Sequence, residues 1–272
     1  MPHLFKRLLL TFCIYAAVIT VAHAQDNQLS FGVFPYVSPS KLIKHQAVMH
    51  QFLRKQLNQN IEFVTAQDLE GFAERTLNSE YDLIFAPPHL ARYCEKNGLY
   101  TPLALTQTKI QGVYIVHKDS PIYTLDDLRG QKTSLSTVGF EYSLLYQIMI
   151  EQMKSLSINN IQYKEVTAHN NSIFSVYKKE VDVALTGVKL WKTLPSNIKI
   201  HLRKIGKTEM TPGFIIMARP SLARSVSHLF MEVEQDFNDS LVSGKYIFRG
   251  LKPYQHGMLT SMDPYIKPFE QH

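Results

Sequence analysis

Residues 120–145 read SPIYTLDDLRGQKTSLSTVGFEYSLL, and this stretch decides how the chain is divided. Thr124 is placed to cap a short turn. Asp126 and Asp127 behind it suit a helix start, where carboxylates meet unpaired amides and the positive end of the peptide dipoles. Lys132–Leu135 predicts a strand and residues 142–156 predict a helix. Between them lies Val138-Gly139-Phe140-Glu141-Tyr142-Ser143. A strand that feeds a helix through a short loop is the building unit of a parallel α/β layer. This loop is odd because its helix opens with an aromatic, a carboxylate and another aromatic.

The same unit recurs on both sides. Toward the N-terminus, Leu29–Phe34 predicts a strand and Lys41–Leu57 a helix, with Leu42, Val48, Met49, Phe52, Leu53 and Leu57 at helical spacing. Ile61–Val64 (strand), Asp68–Leu77 (helix), Tyr81–Ala86 (strand) and His89–Asn97 (helix, stopped by Gly98) follow. Gly112–Val116 adds a strand. Toward the C-terminus come Ile161–Val166, a helix over Ser172–Lys179, then strands at Val181–Leu185, Ile198–Ile205 and Gly213–Met217. A long helix is expected over Ser221–Leu241. The remainder is rich in Tyr, Pro and Gly and reads as irregular. No internal repeat or flexible linker is visible.

The first residues carry an address. Lys6 and Arg7 precede an apolar run from Leu8 to Val21, and Ala22-His23-Ala24 is a small-x-small cleavage site. This predicts a secretory signal peptide over residues 1–24, cut before Gln25, and a periplasmic protein. Of 29 basic and 23 acidic side chains, only Lys6 and Arg7 leave with it, so the mature chain carries 27 against 23, a net of +4. The basic residues are scattered, which excludes a nucleic-acid stripe and suits a small anionic ligand. Cys13 leaves with the signal and Cys94 remains alone, so no internal disulfide forms. The histidines and carboxylates show no metal-ligand spacing, no catalytic motif is present, and no cofactor is expected.

Three stretches taken together are recognisable: SEYDLIFAPPHLARYCEKNGLYTPLA (79–104), GVYIVHKDSPIYTLDDLRGQKTSL (112–135) and VTAHNNSIFSVYKKEVDVALTGVKLW (166–191). Their order and spacing resemble the periplasmic solute-binding proteins of the phosphate/phosphite/phosphonate class of ABC transporters, and GLKPYQHGMLTSMDPYI (250–266) fits the ending. Asp82 and Asp182 close helix-to-strand turns as that family's do, Asp127-Leu128-Arg129-Gly130 matches its turn, and His169 stands where it commonly has Ser/Thr-His before a helix.

The resemblance implies an α/β, two-lobed type II periplasmic binding fold, a Venus flytrap in which each lobe is a mostly parallel sheet flanked by helices. Lobe 1 is expected over 25–110 and 213–272 and lobe 2 over 111–212, with crossings near Gln107–Tyr114 and Thr208–Phe214. In open α/β sheets the strand-end loops and helix N-termini gather at one edge, where unpaired N–H groups attract anions. Candidate ligand contacts in those loops are Tyr36, Ser38, Pro88, His89, Ser136, Thr137, Tyr142, Ser143, His169, Asn170 and Thr186, with Lys189 and Trp191 as further walls.

The resemblance also frames the odd loop. Phosphonate-binding relatives grip the phosphonate oxygens with a Ser/Thr-rich turn at the start of this helix. Counted from Gly130, that turn here is Phe140-Glu141-Tyr142-Ser143, in which Ser143 is the single serine. Two readings of Glu141 stand open: a charge facing the ligand, or a solvated residue at a helix start. Ser136-Thr137 supplies hydroxyls if the loop is re-registered. The expected function is capture of a small oxyanion-like solute for an ABC permease by a monomer. The alternatives are a report to a membrane sensor kinase and an enzyme using Glu141 and His169 as an acid/base pair.

Overall fold

The computed structural model describes residues 28–231 and 250–271; the signal peptide and residues 232–241 of the expected 221–241 helix lie outside them, and the described part of that helix is two short helices, Pro220–Val226 and His228–Met231. Two sheets result. The first contains β1 (Leu29–Val33), β2 (Ile61–Val64), β3 (Leu83–Ala86), β4 (Thr101–Thr106), β10 (Ile215–Ala218) and β11 (Leu251–Pro253), in the order β11-β4-β10-β3-β1-β2. The second contains β5 (Ile110–His117), β6 (Thr133–Val138), β7 (Ile161–Val166), β8 (Val183–Gly187) and β9 (Leu202–Thr211), in the order β7-β6-β8-β5-β9.

The connecting helices are α1 (Pro39–Leu57), α2 (Leu69–Leu77) and α3 (Pro88–Lys96) in the first lobe, and α4 (Leu144–Ser155), α5 (His169–Tyr177), α6 (Val188–Thr193) and α7 (Ser196–Lys199) in the second. The first lobe gains α8 (Pro220–Val226) and α9 (His228–Met231) on the return.

The strands that cross between the lobes define the topology. β5 follows β4 through Gln107–Lys109 and inserts antiparallel between β8 and β9. β10 follows β9 through Pro212–Phe214 and inserts antiparallel between β3 and β4. The other main strands run in one direction within their sheets, with β1 parallel to β2 and β3, and β6 parallel to β7 and β8.

Local chemistry explains the elements. α1 begins with Pro39, whose missing N–H costs nothing in a first turn, and stops at Asn58, which takes the left-handed conformation (φ 48°) of a helix C-terminus. Its buried stripe is Leu42, Gln46, Met49 and Leu53. Gln46 joins it because its Nε2 donates to Tyr36 Oη at 3.3 Å. β3 is buried at all four positions, as a central strand covered on both faces must be. In β5 the pleat sends Tyr114 and Val116 into one core and Val113 and Ile115 into the other.

The two lobes share one fastening. Asp82 Oδ2 accepts from Ser30 N (2.8 Å) and Ser30 Oγ (2.9 Å), tying β1 to the start of β3. Asp182 Oδ2 accepts from Ser134 N (2.8 Å) and Ser134 Oγ (2.7 Å), tying β6 to the start of β8. The chain thus repeats a device that its sequence does not display as a repeat.

Several element readings are corrected. The strand expected at Lys132–Leu135 runs to Val138, so Ser136 and Thr137 lie in β6 rather than in the loop. The helix expected from Tyr142 is split: Phe140–Tyr142 forms a 3-10 turn and α4 starts at Leu144. Gly139 at φ 59° makes the break. α5 starts at His169, three residues before the expected Ser172. The expected strand Ile198–Ile205 fails in its first half, where Pro195 opens the short helix α7. β4 was not anticipated, and the C-terminal stretch forms β11 and two 3-10 turns, Thr260–Tyr265 and Lys267–Phe269.

Candidate functional site

Between the lobes lies a cleft of about 730 Å³. Its floor is made where helices begin: Ser38 and Pro39 of α1, Ser143–Leu145 of α4, and Ala168 and His169 of α5 all line it. In none of these helices does the N-cap side chain accept a bond from the first turn. α2 differs, since Asp68 Oδ1 accepts from Gly71 N at 2.8 Å. The cleft-facing starts of α4 and α5 therefore keep first-turn donors and partial positive charge where a ligand would lie, whereas in α1 Pro39 brings no N–H and Lys41 N is bonded to Ser38 O. Lys109, Lys189 and Lys192 add full positive charge, and among the described residues no carboxylate lines the cleft.

His169 is the first residue of α5. Loss of solvation pushes its imidazole down to about 4, so the ring is neutral at pH 7. Its Nδ1 is shut away from solvent and has no hydrogen-bond partner among the described residues, a state it shares with His89 Nδ1 and Thr137 Oγ1, which do not line the cleft. A buried polar atom left unpaired costs about 1–3 kcal/mol, which a ligand bond recovers.

One wall is aromatic. Tyr36 and Phe214 have ring centroids 5.3 Å apart, Phe34 and Phe214 6.1 Å, and Phe214 stacks on Phe85 at 5.0 Å. Burial raises the Tyr36 hydroxyl well above the usual phenol range, so it stays protonated.

Of the eleven candidate residues, Tyr36, Ser38, Ser143 and His169 line the cleft and the other seven do not. Pro88 is buried in α3, while its neighbour Pro87 lines the cleft. Ser136 is engaged with α5: Ser136 Oγ donates to Ser172 O at 3.3 Å and Ser172 Oγ to Ser136 O at 2.8 Å. Thr186 Oγ1 reaches His169 O at 3.5 Å, and Asn170 follows His169 without lining the space. Trp191 turns into the second-lobe core, beneath Lys199. Cys94 is fully buried in the first-lobe core with its thiol pushed up by burial, away from the cleft.

His89 and Tyr142 belong to a seam between the lobes. His89 Nε2 donates to Tyr142 O at 3.2 Å. The Phe269 ring packs on both, at 5.2 Å from His89 and 6.1 Å from Tyr142. Gly139 meets Leu69 of α2 so closely that a methyl group there would overlap the leucine. The odd loop therefore holds the opposite lobe. Glu141 is exposed on its outer side, which is the solvated reading of that residue.

Sequence reasoning missed the cleft residues of the crossings, Gln107–Gln111, Met210 and Phe214. Their signal was present in the crossings that the resemblance implied, because a cleft between two lobes is walled by its hinges.

A family model described as the periplasmic substrate-binding protein of ABC phosphonate transporters matches residues 31–257. The chain belongs to that family. A curated member, the phosphonates-binding periplasmic protein of Escherichia coli (strain K12), is 24% identical over 229 residues, covering 77% of this chain and 67% of its own. Among solved structures, a Prochlorococcus marinus protein in complex with methylphosphonate superposes with a TM-score of 0.76 at 12% identity, covering 91% of this chain and all of its own. A binding-protein component of an ABC phosphonate transporter from Pseudomonas aeruginosa gives 0.74 at 15% identity, over 91% of this chain and 87% of its own. The fold is thus the two-lobed type II periplasmic binding fold, and the chain is a periplasmic solute-binding protein of the ABC phosphonate class. Members of this family deliver small molecules to ABC permeases; a report to a sensor kinase and catalysis in the cleft are not favoured.

Proposed function

We propose that this protein captures a phosphonate-class tetrahedral oxyanion in its interlobe cleft and hands it to an ABC permease as a monomer. The observation that carries the reading is the cleft floor: three helices begin there without side-chain caps, beside three lysines and no described carboxylate. Such a floor selects negative charge. The family-style grip on the anion is shifted. The 3-10 turn Phe140–Tyr142 is spent on the seam, and the donors left for the anion are Ser38, Ser143, His169 and the first-turn amides of α4 and α5. Thr137 Oγ1 joins them if the ligand reaches the end of β6.

In this reading lobe 1 comprises 25–110 and 213–272 and lobe 2 comprises 111–212. Residues 1–24 direct export and are cut before Gln25. A thermal-shift screen of the exported protein against phosphate, phosphite, phosphonates, sulfur oxyanions and amines tests it. A phosphonate should raise the melting temperature in a concentration-dependent way, by about 2.7 kcal/mol equivalent at one hundred times Kd. A panel in which only amines shift it, or nothing does, overturns the reading.

A further inference from the structure

A tetrahedral oxyanion fills only the polar floor of this cleft. The cleft extends beyond that floor to residues of both crossings, among them Gln107–Gln111 and Met210. Beyond the floor the lining is apolar from both lobes: Phe34, Tyr36 and Phe214 from one, Val188 and Met210 from the other. One feature of the floor itself calls for a ligand, the Nδ1 of cleft-lining His169, which has no partner among the described residues.

The charge is one-sided as well. A ligand ammonium taken out of water needs a carboxylate partner. Among the described residues none lines the cleft, and Lys109 and Lys192 would repel it. Glu141, the acid nearest in sequence to the start of α4, is exposed and outside the cleft.

The geometry points to an oxyanion borne on an apolar organic group that carries no amine, an alkyl- or arylphosphonate, as the ligand class. This rests on the oxyanion reading above. The head sits on the helix starts and the organic group lies against the Tyr36–Phe214 wall, where each added methylene buried strengthens binding about fourfold.

Titration calorimetry of the exported protein with methyl-, ethyl-, butyl- and phenylphosphonate, inorganic phosphate and 2-aminoethylphosphonate tests it. Affinity should climb from methyl to butyl by tenfold or more. Phenylphosphonate should bind at least as tightly as butyl, and the aminoethyl compound at least tenfold more weakly than the ethyl one. In Phe214→Ala the dependence on chain length should flatten. If the aminoethyl compound equals or exceeds the ethyl one, if affinity is flat along the series, or if phosphate binds tighter than every alkylphosphonate, the ligand class is wrong while the oxyanion reading survives. If none of the six compounds binds, both fall.

Discussion

Two histidines, His89 and His169, sit at equivalent places in the two lobes. Each follows a sheet strand and opens a helix, and burial pushes each down to about 4. Their surroundings set them apart. His89 is sealed: its Nε2 is bonded to Tyr142 O across the lobe boundary and Phe269 covers its ring. Both rings leave Nδ1 without a partner among the described residues, but His169 lines the cleft and His89 does not. Position at a helix start therefore does not make a ligand contact. What the opposite lobe places over the residue decides whether it becomes a fastening or a binding group.

The comparison is broken most severely at Gly139. Valine there must adopt φ near 59° and displace Leu69, a combination of left-handed strain and overlap that costs several kcal/mol. Gly139→Val should lower the melting temperature and weaken phosphonate binding at least tenfold, because the seam cannot close. An unchanged Kd by calorimetry would show that the seam plays no part in binding.

His89→Ala comes next. It removes a bonded ring from a packed site, so chemical denaturation should show a loss of about 2–4 kcal/mol. His169→Gln should do the reverse, leaving the ligand-free protein as stable as before or slightly more so while weakening binding about tenfold. A stability loss in His169→Gln to match that of His89→Ala would erase the distinction between them.

The pH dependence is subtler. Both histidines titrate lower in the folded chain than their ordinary 6.5, so the unfolded chain binds more protons between those values. Their contribution to stability is complete above about pH 6.5 and is lost as pH falls toward about 4. Denaturation midpoints measured across that window should decline. The decline should be shallower in His89→Ala and shallower again with His169→Gln added; the same slope in all three proteins would mean that other groups control it.

Much of the fold was legible because strand and helix periods are local. Leu83–Ala86 reads as a buried strand from its own residues, while the hinge crossings came with the family resemblance. The misreadings share a cause that is not local. Ser136 and Thr137 join β6 because β7 and β8 pair with that strand, and the turn at Phe140 exists because Gly139 must slip past Leu69 in the other lobe. Within the site, Tyr36, Ser38, Ser143 and His169 were readable as loop or cap residues near helix starts. His89 and Tyr142 carry the same signature, and only lobe packing distinguishes them. Phe214 was passed over because its chemistry is that of any core aromatic until the cleft gives it an open side.

The central claim is that two lobes shut on an oxyanion, and small-angle X-ray scattering of the exported protein with and without saturating butylphosphonate tests it most directly. The expected result is a smaller radius of gyration with ligand, and no such contraction in Gly139→Val. A wild-type radius that stays the same while the ligand is demonstrably bound would contradict closure and leave the seam a fixed contact.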